Sequence, residues 1–397
     1  MRLVSAIPAL AELLTVCLVV ALERCVYAHM SLRQLRGARG GDDRGGLAMS
    51  YASLPRRLLV LAIAAAVLTT GLAVGAGARP AAAAGAGSPT DPNVKFFGRW
   101  DTSSPTAYVS KWAGGYVKLG FTGTTVRLRQ RGAIDLFASV DGGPDVPFTD
   151  VSGTVNLTPT PLRAGNHTLR VSYRPVAGSY HGDAVYRGVL LDPGAHTFAP
   201  PVASKIIEFV GDSITVGELS SERALTAYGW LVGERLRVEH TQIAQSGACL
   251  VATAGCVGLS TQFLQTGSTA DSPDWDFRRY QASAVVINLG TNDVGPGVDT
   301  PEFQAAYVTL LQRVRAKYPG AVIFAMETFR KRFVEQTRGA VAIRNAAGDA
   351  NVFFVDTTGW ITEATDTVDH LHPNDAGHQK IAARLAPIIA ARIGTGP

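Results

Sequence analysis

A serine, a histidine and an aspartate occur in this chain in an order that suits nucleophilic catalysis. Ser213 stands in Gly-Asp-Ser directly after the apolar segment 206–210, and Asp369 and His372 follow near the end of the chain. A serine hydroxyl is a weak nucleophile, so it needs a base such as His372 to take its proton. Asp369 can accept a hydrogen bond from the other ring nitrogen and fix the tautomer. These residues predict an acyl-transfer site, and a helix-capping role for Ser213 is the alternative.

Three further groups could stabilise the negative oxygen of a tetrahedral intermediate. They are the backbone N–H of Ser213, the backbone N–H of Gly247 and the side-chain amide of Asn292. Gly247 suits this role because a residue without a side chain lets the backbone approach closely. A turn at Gly247 and a strand cap at Asn292 are the simpler interpretations, but they do not explain why both residues fall on one edge of the predicted sheet.

A metal site is the competing interpretation of the histidine-rich segment near the C-terminus. Its ligands would be Asp369, His370, His372, Asp375 and His378. No His-Glu-x-x-His pattern occurs, and the segment crosses the predicted start of a helix, where Asp375 is better used as a cap. We therefore expect neither a metal nor another cofactor.

From residue 204 the chain alternates between strand-like and helix-like segments. Continuous apolar strands are typical of a parallel sheet that helices cover on both faces. The predicted strands are 205–210, 240–244, 284–289, 321–326 and 351–355, and the predicted helices are 223–236, 301–318, 333–349 and 375–393. In such a sheet the functional site lies at the carboxyl ends of the strands.

The candidate residues all fall at that edge of the predicted sheet. Ser213 follows the first strand, Gly247 the second and Asn292 the third, while His372 stands just before the last helix. They lie in Gly-Asp-Ser, Gln-Ser-Gly, Gly-Thr-Asn-Asp and Asp-His-Leu-His-Pro-Asn. These blocks, in this order, resemble the SGNH hydrolases, the GDSL-type esterase superfamily.

The resemblance covers residues 204–393 and implies an α/β fold, a three-layer α/β/α catalytic domain that we place at 204–397. It also implies that His372 rather than His370 is the base, because Asp-x-x-His followed by proline is the superfamily spacing. No Gly-x-Ser-x-Gly sequence surrounds Ser213, which argues against the α/β-hydrolase fold.

Residues 94–201 have a different pattern, with short alternating segments, frequent turn sequences and no helical period. The segments are 94–100, 116–121, 125–129, 136–140, 167–173 and 186–191. They predict a β-sandwich of jelly-roll type. This domain resembles the N-terminal domain of carbohydrate esterase family 2, whose members are two-domain deacetylases of plant-wall polysaccharides. Some members use a serine–histidine pair whose histidine is oriented by a backbone carbonyl. This leaves open whether Asp369 is essential for catalysis.

Four aromatic side chains of the sandwich are available to stack on sugar rings, namely Trp100, Trp112, Tyr116 and Tyr180. Single aromatic residues at strand spacing usually point inward, so a core position is the favoured interpretation.

The formal charge of the 397-residue chain is +5, but this charge is concentrated at the N-terminus. Residues 1–84 hold nine arginines, no lysine and four acidic residues, which leaves 28 basic and 28 acidic residues in the rest of the chain. A neutral folded part gives no electrostatic support for nucleic-acid binding.

The N-terminal segment has the layout of a secretory signal peptide, which we place at 49–84. Arg56 and Arg57 precede an apolar stretch over 58–78, and an alanine-rich stretch follows with a cleavage site. An uncleaved membrane anchor is the alternative, because the apolar stretch is long enough to span a bilayer. After cleavage we expect a secreted protein without stable membrane association.

Met49 is the expected start of translation. The segment 1–48 would then be a non-native or disordered extension, and 85–93 a linker rich in Gly, Ser, Pro and Thr. Outside the leader the chain has two cysteines, Cys249 and Cys256, which predict a disulfide in an oxidising compartment. Two buried free thiols are the alternative.

Together these features predict a secreted, monomeric serine esterase. It would remove small acyl groups, in particular acetyl, from an acetylated polysaccharide or oligosaccharide. A lipase or phospholipase of the same superfamily is the alternative, although the chain shows no long apolar lid. A carbohydrate-binding protein with an inactive hydrolase domain is the alternative from another class, and the intact Ser213, His372 and Asn292 argue against it.

Overall fold

The computed structural model describes residues 85–174 and 184–395. The predicted extension at 1–48, the predicted signal peptide at 49–84 and Tyr180 lie outside the described residues, so the statements about them remain predictions. None of the described helices is long and apolar enough to cross a membrane.

The N-terminal domain is an antiparallel β-sandwich, as predicted. Its strands are β1 (Lys95–Phe97), β2 (Trp100–Asp101), β3 (Tyr108–Ser110), β4 (Tyr116–Gly123), β5 (Val126–Val140), β6 (Val146–Asn156), β7 (Gly165–Tyr173), β8 (Ala184–Leu191) and β9 (Thr197–Phe198). The hydrogen-bonded order is β1-β4-β7-β5-β8-β3-β2, while β6 pairs with β5 and β9 pairs with β4. The alternate apolar side chains of these strands form one core.

The long strand β5 joins the two halves of this sheet. Its first part, around Leu128, pairs with β8, and its last part, around Ala138, pairs with β7. Between them the pairing with β6 shifts register at Ile134, close to Gly132, which has a φ of +77°. Such bulges bend a strand and let it turn a corner. The sheet therefore folds over onto itself around a single core.

Three features of the sandwich differ from the prediction. The segments 125–129 and 136–140 are parts of the single strand β5. The segment 94–100 is divided into β1 and β2, because Gly98 between them has a φ of +95°, which interrupts an extended strand. β3, β6 and β9 were not predicted, since β3 and β9 have only three and two residues, and β6 is mostly exposed and has no continuous apolar face.

The C-terminal domain contains a parallel sheet with the order β11-β10-β12-β13-β14. Its strands are β10 (Ile206–Gly211), β11 (Glu239–Ala244), β12 (Ala284–Asn288), β13 (Val322–Met326) and β14 (Val352–Val355). Each begins and ends within one residue of the predicted strand. This agreement follows from their burial, because a strand buried on both faces is a continuous apolar run that the sequence shows directly.

Helices cover both faces of this sheet. They are α1 (Ser213–Val216), α2 (Tyr228–Leu236), α3 (Leu259–Gln262), α4 (Thr300–Lys317), α5 (Val334–Ala346), α6 (Glu363–Asp366) and α7 (Asp375–Ile393). Val285 and Ile287 of β12 pack in the core formed with α4 and α5, whereas Val286 packs in the core formed with α2 and α7. The fold is therefore the predicted three-layer α/β/α arrangement.

The predicted helix 223–236 is interrupted. Arg223–Leu225 forms a single 3₁₀ turn, and α2 begins only at Tyr228. Arg223 has a φ of +52°, which an α-helix does not accommodate. The short helices α1, α3 and α6 were not predicted, because a segment of one turn has too few residues to show a helical period.

Aromatic side chains of the sandwich belong to buried cores, and two of them join the two domains. Trp112 lies in a buried core of the C-terminal domain that also contains Ile206, and Trp100 lies in the sandwich core. The Tyr116 hydroxyl donates a hydrogen bond to Glu239 Oε2 at 2.6 Å. Trp100, Trp112 and Tyr116 are at most 1% exposed, so these three rings cannot stack on a sugar.

A buried ion pair connects the sandwich to β10, the strand that leads to Ser213. Arg99 Nη2 lies 3.1 Å from Glu208 Oε1, and neither side chain is accessible to solvent. Desolvation acts to lower the pKa of Arg99, but attraction to Glu208, together with interactions with Tyr280 and Tyr318, outweighs it and holds the pKa above the ordinary value. The Tyr318 hydroxyl donates a hydrogen bond to Glu208 Oε2 at 3.1 Å. The centre of the Phe263 ring lies 4.8 Å from the guanidinium carbon of Arg99.

Replacing Arg99 with alanine is expected to destabilise the protein by about 3–5 kcal/mol, because the change leaves the Glu208 carboxylate buried without its counter-charge. Urea denaturation of the full chain measures the effect. Arg278→Ala is the control, since Arg278 pairs with Asp276 on the surface and 91% of its side chain is exposed. The urea concentration at the midpoint of unfolding should not change measurably in this variant. If both variants unfold at the wild-type urea concentration, the ion pair does not fix the two domains together.

Candidate active site

Ser213 lies where β10 ends and the one-turn helix α1 begins. Gly211 directly precedes this turn, and a side chain there would collide with Thr215 Oγ1 at 2.0 Å and with the Asn288 carbonyl at 2.9 Å. Asp212 is the N-cap of α1, and its Oδ1 accepts a hydrogen bond from Ile214 N at 3.0 Å. The cap is therefore Asp212 and not Ser213, which leaves the serine hydroxyl available for other contacts.

The structure brings Ser213, His372 and Asp369 together. His372 Nε2 lies 2.8 Å from Ser213 Oγ, and His372 Nδ1 lies 2.8 Å from Asp369 Oδ2. With the proton on Nδ1, the ring donates to the carboxylate and its Nε2 can accept the serine proton. The His372 side chain is 15% exposed and the Asp369 side chain 42%, so this arrangement is open to solvent on the aspartate side.

Asp369 stays ionised in this environment. Its partial burial acts to raise the pKa, but hydrogen bonds from the His372 backbone N–H and ring lower it to about 2. Oδ1 also accepts from Leu371 N at 3.1 Å and His372 N at 2.8 Å. The carboxylate therefore fixes both the fold of its loop and the orientation of the imidazole.

The other residues of the histidine-rich segment have separate contacts. His370 has a φ of +64°, its side chain is 79% exposed, and its carbonyl accepts from Arg330 Nη1 at 2.8 Å. Asp375 accepts from Ser221 N at 2.9 Å. The expected capping role of Asp375 is wrong, because its neighbour Asn374 caps α7 with a bond from Gly377 N.

His378 is fully buried, and its Nδ1 accepts from Tyr228 N at 3.1 Å. Burial lowers the pKa of His378 to about 3, so the ring is neutral. Within residues 85–174 and 184–395, no group of three or more His, Cys, Asp or Glu side chains is arranged to hold a metal ion.

Gly247 and Asn292 lie next to each other at the carboxyl ends of β11 and β12. Ala248 N donates to Gln245 O at 3.1 Å and closes a turn around Gly247. Asn292 Nδ2 donates to Ala248 O at 2.8 Å, so this amide borders the same turn. Gln245 N donates to Gly211 O at 3.2 Å, which holds the turn beside the end of β10. All three expected oxyanion donors thus meet at one edge of the sheet.

The reason for a glycine at this turn differs from the expected one. A Cβ on Gly247 would meet no atom within 4 Å, but its φ of +75° is a conformation that other residues rarely adopt. The glycine is therefore required by the backbone conformation of the turn. Gly247 itself is exposed.

The predicted disulfide between Cys249 and Cys256 is confirmed, with the two Cα atoms 5.7 Å apart. It closes the loop that follows Gly247. Asp293 holds the same loop from the other side, because its buried carboxylate accepts from Leu250 N at 3.0 Å and from Val251 N at 3.0 Å. Burial raises the pKa of Asp293 in spite of these bonds.

Asp293 and Asp212 had no predicted role. Each is next to a predicted site residue, Asn292 or Ser213, in a polar segment, and this position was the feature of the sequence that could have indicated a role. Asp212 is fully buried, and its burial raises its pKa to about 6 against the hydrogen bond from Ile214 N. Both carboxylates therefore support the backbone that carries a neighbouring site residue.

Both domains match known protein families. Residues 209–380 match the GDSL-like Lipase/Acylhydrolase family, and residues 96–201 match the Carbohydrate esterase 2 N-terminal family. The C-terminal domain is similar to the GDSL-type hydrolases. The sandwich domain is similar to the N-terminal domain of family 2 carbohydrate esterases.

Relatives of this chain include esterases. The cellulase/esterase CelE of Acetivibrio thermocellus is 30% identical in a 335-residue alignment that covers 77% of this chain, and the chain spans 40% of that relative. An acetylxylan esterase / glucomannan deacetylase of Cellvibrio japonicus is 22% identical in a 260-residue alignment that covers 60% of this chain and 72% of the relative. A family two carbohydrate esterase from Clostridium thermocellum, solved with cellohexaose, has a TM-score of 0.66 and 28% identity, covering 76% of this chain and 99% of that one.

Replacing Asp369 with alanine is expected to lower kcat about 10²-fold or more, because His372 loses the acceptor that fixes its tautomer. In the wild type Asp369 remains ionised throughout the pH range of an activity assay, because its pKa is about 2.

Steady-state kinetics with wild type, Asp369→Ala and His370→Ala measure the effect. His370→Ala is the matched control on the same loop and should retain near-normal kcat. Wild-type kcat in Asp369→Ala would contradict the assignment and indicate that a backbone carbonyl orients the histidine.

Proposed function

We propose that this hydrolase is a secreted serine esterase that removes small acyl groups, in particular acetyl, from carbohydrate. The observation that carries the proposal is the contact of 2.8 Å between Ser213 Oγ and His372 Nε2, with Asp369 on the far side of the ring. This geometry suits general-base activation of a serine hydroxyl.

In the proposed first half-reaction, His372 Nε2 takes the proton of Ser213 as Oγ attacks the ester carbon. The carbonyl oxygen becomes an oxyanion, which the N–H groups of Ser213 and Gly247 and the amide of Asn292 stabilise. The intermediate collapses, the bond to the sugar oxygen breaks, and that oxygen takes the proton from His372. The acyl group remains on Ser213 Oγ as an ester.

Water completes the reaction in the second half. His372 takes a proton from a water molecule, whose oxygen attacks the acyl carbon and forms a second oxyanion in the same site. The bond to Ser213 Oγ then breaks, and the serine regains its proton from His372. The products are a carboxylic acid and the freed hydroxyl of the substrate, so no redox partner or metal is needed to balance the reaction.

The exposed surroundings of the site and the names of the relatives support a carbohydrate substrate. Ser213 is 6% exposed, but Gly247 is exposed at the same edge of the sheet and the Asp369 side chain is 42% exposed, so a bulky alcohol can approach this edge. The relatives include an acetylxylan esterase / glucomannan deacetylase and an esterase solved with cellohexaose. Export is supported by the signal-peptide layout at 49–84 and by the disulfide between Cys249 and Cys256.

Release of acetate from acetylated xylan, mannan and cello-oligosaccharides is the test of this function. We expect release from at least one of these substrates, and a loss of about 10⁴-fold or more in Ser213→Ala. The same preparations are assayed on long-chain fatty acyl esters. Faster turnover of long-chain esters would indicate a lipase, and binding of the polysaccharides without any ester cleavage would indicate an inactive hydrolase domain.

A further inference from the structure

A carboxylate links the two loops that supply backbone N–H groups to the proposed oxyanion site. Ser246 directly precedes Gly247, and its hydroxyl donates a hydrogen bond to Glu218 Oε2 at 2.5 Å. Glu218 lies just beyond α1, the helix that begins with Ser213. An O–H···O⁻ bond of this length is charge-assisted and stronger than a neutral hydrogen bond.

Glu218 is itself held in place on the Ser213 side. Its backbone N–H donates to Ser213 O at 2.9 Å, directly after Gly217, which ends α1 with a φ of +81°. Its other carboxylate oxygen, Oε1, accepts from Arg223 Nη1 at 3.1 Å. The Glu218 side chain is 20% exposed, so the carboxylate is largely shielded from solvent.

We propose that Glu218 is a positioning residue for the oxyanion site. Its backbone is bound to Ser213 and its side chain to Ser246, so it sets the distance between the two loops. The N–H groups of Ser213 and Gly247 can then point at the same oxygen atom. The inference rests on the proposed esterase function, in which both N–H groups stabilise the transition state.

The turn around Gly247 is held at both ends by hydrogen bonds. Gln245 N donates to Gly211 O at one end, and Ala248 O accepts from Asn292 Nδ2 at the other. Ser246 and Gly247 lie between those anchors, and Gly247 has the widest backbone freedom of any residue type. The hydroxyl of Ser246 provides a contact in the middle of the turn, next to the N–H that must be aimed.

Loss of this contact is expected to affect the transition state more than the bound ester. A small misplacement of a catalytic group can cost up to about 10²-fold in rate. For Glu218→Ala and for Ser246→Ala we therefore expect a fall in kcat of about 10-fold, with KM changed by less than about twofold. Glu218→Gln should keep most of the wild-type kcat, because its amide oxygen can still accept from Ser246.

The experiment is a double-mutant cycle on kcat and KM for one acetylated substrate, with thermal unfolding recorded for each variant. If Glu218 and Ser246 act through one hydrogen bond, the double alanine variant should be no slower than the slower single variant. Glu222→Ala is the matched control, since Glu222 lies in the same loop with 41% of its side chain exposed and should keep wild-type kcat. Should Glu218→Ala fail to fold, Ser246→Ala removes the same hydrogen bond and should still lower kcat about 10-fold with KM almost unchanged, whereas Glu218→Gln should keep most of the wild-type kcat.

Two results would overturn the proposal. One is a change confined to KM, which would make Glu218 a substrate-binding residue. The other is a double variant whose loss equals the product of the two single losses, which would show that the residues act separately. Wild type and Ser213→Ala are assayed in parallel, so an inactive wild type, or activity that survives Ser213→Ala, would identify a failure of the esterase function itself.

Discussion

The in-register pairing of β10 with strands on both sides is the constraint on which the site depends. Gly211, the last residue of β10, lies opposite Ala244 of β11 and Asn288 of β12. Because the three strands are parallel and end together, the loops after them leave from the same edge. Ser213, Gly247 and Asn292 are carried on those loops. A one-residue shift of β10 would reverse the faces of its side chains and move the nucleophile away from both oxyanion donors.

The sandwich contributes to that constraint, although it supplies none of the proposed catalytic residues. Arg99 neutralises Glu208 inside β10 itself, and Trp112 fills the core beneath the sheet. A carboxylate in the middle of a buried strand is costly unless it is paired and hydrogen-bonded. The catalytic domain therefore relies on the sandwich to make one of its own central strands compatible with burial. The sandwich, which has no catalytic motif, therefore has a structural role in the C-terminal domain.

The sequence was sufficient for the catalytic sheet and for the set of residues at its edge, because buried parallel strands are apolar runs and their carboxyl ends must meet. It was insufficient where two neighbours have similar chemistry. Asp212 and Ser213 can both cap a helix, as can Asn374 and Asp375, and only the backbone conformation decides which one does. It was also insufficient for contacts between distant segments. Arginine is usually a surface residue, yet Arg99 is 0% exposed.

The most direct test of the account is to trap the covalent intermediate. Wild-type enzyme is mixed with an activated acetyl ester, quenched in acid within the first turnover, digested, and analysed by peptide mass spectrometry. The account predicts one acetyl group on the peptide that contains Ser213, and no acetyl group on that peptide in the Ser213→Ala variant. Acetylation of a different residue, or product formation with single-turnover kinetics and no acetylated peptide at any quench time, would contradict nucleophilic catalysis by Ser213.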